Sequence, residues 1–360
     1  MRNRLFSFLT ILTVLFSFQS CKEEIELSGD FKETAVVYGL LDQSDSIHMI
    51  KITRAYIGPG DALTFAQIPD SSYFPSVAGT VTEFISGVPA RIFTLKDTLI
   101  LNKDPNGVFY APTQKLYYFA TSPSTPLLEN AEYRLNLDIN NGAFSVSGKT
   151  KLVKEITENV TSKNQPFRFS LSNGEFTPTL IQSNTGTSYQ ITTKLTIEFT
   201  EWRGTNPTVK SFDWKLGEVE TSPSSTVTFS APGEIFYDLM VSNATNDPTI
   251  TKRTFNSITT TIVGGSEDLY NYILISEPST SLAQSKPTFT NLTASNDHPV
   301  IGIFSSRETL RVFKPFIGSS NFFRCININT TKVLCSGGVT SSLLFCSDNP
   351  ADNAQTWFCN

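Results

Sequence analysis

Between Tyr189 and Phe199, apolar side chains at Tyr189, Ile191, Leu195, Ile197 and Phe199 alternate with polar ones at Gln190, Thr192, Lys194, Thr196 and Glu198. A period of two means a β-strand with one face in a core and one in water. The same rhythm returns in Tyr133, Leu135, Leu137 and Ile139, passes through Asn140-Asn141-Gly142, and resumes at Phe144, Val146 and Thr150. That reads as a hairpin around an Asn-Gly turn. Further strands are predicted over Thr34–Leu41, Ile47–Tyr56, Gly79–Ile85, Arg91–Ile100, Val108–Ala111, Thr226–Phe229, Phe236–Val241, Ser257–Val263 and Ile301–Phe304. Short strands separated by turn residues predict an all-β chain of β-sandwich-like domains. One short helix interrupts them: Ser266 caps a run of Glu267, Asp268, Leu269, Tyr270, Ile273 and Leu274, with its acidic residues where the helix dipole favours them.

A boundary is predicted at Lys154–Asn164, a polar stretch between two β patterns. It separates an N-terminal β-sandwich over 33–153 from a second β domain over 165–318, with a cysteine-bearing segment over 319–360. The hairpin entered through Tyr133 resembles the late strands of an immunoglobulin or fibronectin III sandwich. The irregular stretches Gly58–Ser76 and Ser276–His298 are long for hairpin loops and are candidate contact surfaces. Charged residues make up 17% of the chain, the net charge is −5 and there is no basic stripe, so nucleic acid is not an expected partner.

The N-terminus reads as an address label. Arg2 and Arg4 precede an apolar run from Leu5 to Phe18, and small Ser20 stands before Cys21. A membrane-spanning helix needs roughly 20 apolar residues, so this shorter run reads as a signal peptide over 1–20. Cys21 directly after it resembles a bacterial lipobox in the relaxed form tolerated in Bacteroidota, where the cysteine carries the lipid and begins the mature chain. Several acyl chains hold a protein on a bilayer far longer than one. Residues 21–32 then form a lipidated tether. Lys22, Glu23 and Glu24 resemble the signal that sends such lipoproteins to the outer face of the outer membrane.

The other four cysteines, Cys325, Cys335, Cys346 and Cys359, lie in the last 36 residues. In an exported chain an even number predicts disulfides, with three pairings open from sequence. Short loops favour Cys325 with Cys335 and Cys346 with Cys359. A zinc site would use closer cysteine pairs, so no metal is expected.

No catalytic constellation stands out. The two histidines, His48 and His298, fall in different predicted domains. There is no G-x-S-x-G, H-E-x-x-H, P-loop or G-x-G-x-x-G motif. His48 opens a strand and is predicted to face water. His298, in Asn296-Asp297-His298-Pro299, reads as part of a turn, as does Asp104-Pro105-Asn106-Gly107. Tyr117-Tyr118-Phe119, Trp202, Trp214 and Trp357 read as core packing before they read as sugar platforms. No cofactor and no catalytic residue are expected.

Val36–Asp42, Ser46–Gly58, Asp70–Phe74, Gly302–Arg307 and Phe345–Asp352 resemble a Bacteroidota outer-membrane lipoprotein family of unknown function, domain of unknown function 4249. The resemblance implies a β-rich lipoprotein, encoded in many cases beside a TonB-dependent β-barrel receptor. The expectation is a surface-exposed, non-enzymatic accessory module at the outer membrane, partnered with a TonB-dependent transporter or its cargo. The competing readings are a module binding glycan or peptide, such as an adhesin, and a cryptic hydrolase using His298. Asp45-Ser46-Ile47 and Asp97-Thr98-Leu99 resemble O-glycan acceptor triplets, with Ser46 and Thr98 as the acceptors.

Overall fold

The computed structural model describes residues 33–55, 62–101, 103–107, 110–276, 288–318 and 324–359. Its first half runs β1 (Thr34–Leu41), β2 (Ile47–Ala55), α1 (Ala62–Ala66), α2 (Pro69–Ser72), β3 (Val77–Ile85), β4 (Val88–Thr94), β5 (Lys96–Ile100), β6 (Gln114–Ala120), β7 (Glu132–Ile139) and β8 (Phe144–Lys151). After β9 (Ile156–Glu158) and α3 (Val160–Asn164) come β10 (Thr179–Thr185), β11 (Gln190–Arg203), β12 (Asn206–Glu220), β13 (Thr226–Ala231), α4 (Gly233–Asn243) and β14 (Lys252–Gly265). The chain then forms α5 (Glu267–Ser276), β15 (Leu292–Ala294), β16 (Val300–Pro315) and α6 (Ile328–Ser336). The protein is predominantly β, as the alternation predicts.

Three sheets organise these strands: an eight-stranded one in the order β12-β11-β14-β16-β1-β2-β6-β5, a five-stranded β15-β8-β7-β3-β4 and a three-stranded β13-β10-β9. β16 is shared. Its residues Val300–Ser306 run parallel to β1, and Arg307–Pro315 run antiparallel to β14. The eight-stranded sheet therefore serves two cores. Near the N-terminus it faces the five-stranded sheet across Val37, Ile50, Ile52, Tyr133, Leu135, Leu137 and Phe144. Further on it faces the three-stranded sheet across one cluster with Phe169, Leu195, Ile197, Phe199 and Phe236 and a smaller one with Ile156, Ile191 and Ile262. Residues 292–306, placed by sequence in the second domain, supply Leu292 and Phe304 to the first core.

The sandwich likeness of the first half has a local signature. The Tyr133 hydroxyl accepts from the Leu128 amide at 2.6 Å and donates to Glu83 at 2.7 Å, with the Leu128 carbonyl 3.1 Å away. A tyrosine at a strand start bonded a few residues back is the tyrosine corner of immunoglobulin-type sandwiches. Behind it Glu83, fully buried, accepts from Arg91, which also reaches the Pro126 carbonyl.

The hairpin at Asn140–Gly142 forms as predicted, with positive φ at all three residues. The expected helix is α5, and the Ser266 hydroxyl accepts from the Leu269 amide. It is not alone, since five other α-helices are present among the described residues. The largest correction is Phe236–Val241, predicted as a strand and folded as α4. Its buried Phe236, Tyr237 and Met240 recur at helical spacing, and Pro232 stands at the cap, where its lost N–H costs nothing. Arg91–Ile100 divides at Leu95 into β4 and β5, which join different sheets. Val108 and Phe109 of the strand predicted at Val108–Ala111 lie outside the described residues, and Tyr110 and Ala111 are not in a strand. β12 has no counterpart in the prediction: as an edge strand it turns most of its side chains to water, and its apolar alternation is confined to Phe212, Trp214 and Leu216, which pack on the second core.

The cysteine-bearing segment closes over the second core. Phe345 meets Phe199 edge-on, and Cys346 and Cys359 form a disulfide with Cα atoms 5.0 Å apart. The predicted Cys325–Cys335 pairing does not form; both are free thiols. The ten-residue loop assumed between them contains α6, which carries Cys335 roughly 10 Å along the axis from its first turn. A disulfide requires Cα atoms within about 7 Å. Burial pushes both thiols up to about 12, so they remain protonated.

Candidate functional site

Where the two halves meet, a cleft of about 650 Å³ opens between the ends of β7 and β8, the connection to β9, the entry to β11 and the N-terminus of α5. That volume lies within the range of ligand clefts, roughly 300–1,000 Å³. Its lining includes buried Thr150, Leu152 and Val153, and exposed or half-buried Lys149, Lys151 and Lys154 stand with Glu129, Glu132, Glu267 and Asp268 around it.

The residues that shape the cleft are pinned. The Val153 amide donates to Ser306 Oγ at 3.1 Å, and that hydroxyl donates to the Lys151 carbonyl at 2.6 Å. Lys154 and Thr187 exchange two bonds, amide to hydroxyl at 3.1 Å and amide to carbonyl at 3.0 Å. Gly186 makes this approach workable: it has φ +53°, and a Cβ there would lie 2.0 Å from the Lys154 carbonyl oxygen. On the far wall the Ser266 hydroxyl bonds that of Ser305, and Asp268 accepts from Asn291 at 2.9 Å. Lys154, at the start of the polar stretch, is thus bonded to Asn130 of the first half and to Thr187 of the second.

The charges in the cleft are of both signs. Lys154 reaches Asn130 at 2.7 Å and Glu155 at 3.4 Å, while Lys149 and Lys151 are exposed. Beneath Glu129 and Glu155 lies Glu308, whose carboxylate accepts from the Ile156 amide at 3.0 Å. Burial pushes it up to about 7; the Ile156 amide opposes this, and Asp42, Glu129 and Glu155 add to it. A carboxyl raised in the fold stabilises below its unfolded value and loses that contribution as pH rises through its folded one. We therefore expect about 2 kcal/mol, discounted for partial exposure, to be lost between roughly pH 4 and pH 8. Glu308→Gln keeps the acceptor for Ile156 and should flatten this part of the slope, as urea unfolding at both pH values would show. An unchanged slope would refute the assignment.

The residues singled out by sequence do not converge here. Cys21, Lys22, Glu23 and Glu24 lie outside the described residues, as do parts of Gly58–Ser76 and Ser276–His298. Ser46 is exposed just before β2, and Thr98 is half-buried on the edge strand β5. His48, predicted to face water, is buried: it stacks on Phe119, and its Nε2 lies 3.1 Å from the Thr121 hydroxyl. In β2 the outward positions are Ile47, Met49 and Lys51, so two apolar residues occupy the wet face and invert the expected order. Desolvation lowers the His48 pKa against the pull of Asp45 and Asp42.

His298 sits in a turn with positive φ at Asn296 and Asp297, as expected. It stacks on Phe144, with Nδ1 3.0 Å from the Glu33 carbonyl oxygen. Both histidines thus belong to the first half, at opposite ends of β1 and roughly 25 Å apart. Asp104–Gly107 is a turn in which Asp104 accepts from the Asn106 amide. Trp214 and Trp357 are buried, and Trp202 is engaged by Thr254 and Lys252. Among the described residues there is no cluster of three or more His, Cys, Asp or Glu fit for a metal, and no helix long and apolar enough to cross a membrane.

The cleft itself left little trace in the sequence. Its lysines and acids are scattered from Glu129 to Asp268, and only the fold brings them together.

No family model matches the chain, and no curated protein matches it. Among solved structures it is similar to the C-terminal globular domain of oligosaccharyltransferase from Pyrococcus abyssi, at 13% identity and a TM-score of 0.20, over 57% of this chain and 41% of that one. The chain spans less than half the length of that structure.

Proposed function

We propose that this protein is a lipid-anchored module on the outer face of an outer membrane, related to the domain of unknown function 4249 lipoproteins, that binds a partner without transforming it. The observation that carries the reading is the order of Arg2 and Arg4, the apolar run, Ser20, Cys21 and Lys22-Glu23-Glu24. The fold supports it: a sheet-built body whose first described residue, Glu33, is clasped by Arg54 at 3.0 Å and Asn140 at 2.9 Å where the tether would enter. The partner we favour is the extracellular face of a TonB-dependent transporter, and the mixed-sign cleft suits a polypeptide segment carrying both charges better than a polyanion.

Replacing Cys21 with Ser should move the protein from the membrane to the soluble fraction and abolish palmitate labelling, since each buried methylene contributes on the order of 0.8 kcal/mol. Equal membrane retention of the serine variant would overturn the anchor. For the partner, mild-detergent extraction should co-purify a β-barrel, and Lys149→Glu with Lys151→Glu should lower its recovery. A monodisperse protein with no barrel attached would overturn that half.

A further inference from the structure

Inside the second half, between the strands of its two facing sheets, lies a polar row that the cleft does not use. Glu158 of β9 stands opposite Ser183 of β10 in the strand register. On the facing sheet Thr193 of β11 stands opposite Ile262, and Thr260 of β14 opposite Leu195, which makes the two threonines diagonal neighbours on one face. Ile156, Ile191 and Ile262 form one apolar cluster, while Ile181, Leu195 and Ile258 belong to the other. The polar row separates them. Glu158 is 5% exposed and the other three are 0% exposed.

Five oxygens of these side chains, both of Glu158 and one each of Ser183, Thr193 and Thr260, are buried without a hydrogen-bond partner in the protein. The Ser162 hydroxyl near Glu158 donates instead to the Asn159 carbonyl. Lys314 of β16, also buried, approaches Glu158 Oε1 only to 3.9 Å. Its ammonium donates to the carbonyls of Ser162 at 2.6 Å and Gln165 at 3.1 Å, above the Phe167 ring. Buried polar groups are almost always paired, with protein or with ordered water, and a cluster of orphans marks a site.

We propose that this row is a built site for internal water, bridging Glu158, Ser183, Thr193 and Thr260 beneath Lys314. Charge and bonding type select the occupant. An anion would face the carboxylate, and a cation would meet an ammonium within 4 Å of that carboxylate. Water carries no net charge, both donates and accepts, and is retained where two to four polar groups converge. The hydroxyls can turn to suit it. Burial raises the Glu158 carboxyl and lowers the Lys314 amine, as expected for charges that protein contacts alone solvate poorly.

The test is a high-resolution crystal structure of the chain together with melting temperatures of Ser183→Ala, Thr193→Val and Thr260→Val. Density for at least one water bonded to two or more of the four side chains is expected. Each variant removes one hydroxyl and should lower the melting temperature by a few degrees, because a held water loses a partner. Direct contact of the carboxyl with hydroxyls or Lys314, with no water density, would overturn the proposal. So would melting temperatures that rise in all three variants, the result for a dry layer relieved of orphan hydroxyls. Ser183→Ala removes a single atom, so it stays informative if a threonine variant fails to fold.

Discussion

Arg253→Ala should cost about 3–5 kcal/mol of stability, the loss expected when one member of a buried ion pair is removed. Arg253 and Glu201 have side chains 4% and 0% exposed, with nitrogen and oxygen 3.1 Å apart. The guanidinium also donates to the carbonyls of Thr245 and Leu343, so one side chain ties β14 to the turn after α4 and to the closing C-terminal segment. Burial alone would raise the Glu201 pKa; the Thr245 amide and Arg253 outweigh it and hold it below the ordinary carboxylate value. Without Arg253 that carboxylate is stranded. Urea unfolding measures the cost, and a loss under about 1 kcal/mol would show that the pair does not clasp β14 to the C-terminal segment. Replacing both partners with apolar residues of similar volume should recover most of it, since the penalty lies in the unpaired charge.

The second large effect is expected at Gly302. Its φ is +107°, and a Cβ would lie 2.0 Å from the Val37 carbonyl oxygen and 3.1 Å from the Val37 nitrogen. These are backbone atoms of β1, fixed by the parallel register of Ala35–Leu41 with Val300–Ser306. Neither can swing aside. Gly302→Ala should therefore destabilise by more than about 4 kcal/mol, the range reserved for clashes and strain of this kind. Gly87→Ala is the control: it also has positive φ, at +82°, but meets nothing within 4 Å. It should cost only about 1 kcal/mol. Similar melting temperatures for the two variants would refute the distinction.

These two residues also show what the sequence could and could not disclose. The row from Tyr189 to Phe199 is legible because its strand is buried on one face, so the chemistry repeats at the pitch of the pleat. β1 coincides with the predicted Thr34–Leu41 for a different reason: it is a nearly continuous apolar run with no exposed position, the pattern of a strand inside a sheet. The parallel pairing of β1 with β16 joins residues more than 260 positions apart, and no local pattern encodes such a contact. α4 resembles a strand in sequence because Phe236 and Tyr237 are strand-favouring residues, and the neighbouring surfaces decide which period they obey. The Cys346–Cys359 loop was legible from its short spacing. Cys325 and Cys335 have a similar spacing, but a helix lies between them. The cleft charges and the Arg253 clasp depend on tertiary neighbours throughout.

β1 begins one residue after Glu33 and lies inside the eight-stranded sheet, bonded to β16 on one side and β2 on the other. Ladder hydrogen bonds run across the strands. A pull on the chain ahead of Glu33 would thus load β1 lengthwise, and both ladders would have to shear together before the strand slid. Tension from that side would be met first by a strand braced on both edges, at the opposite end of β8 from the cleft.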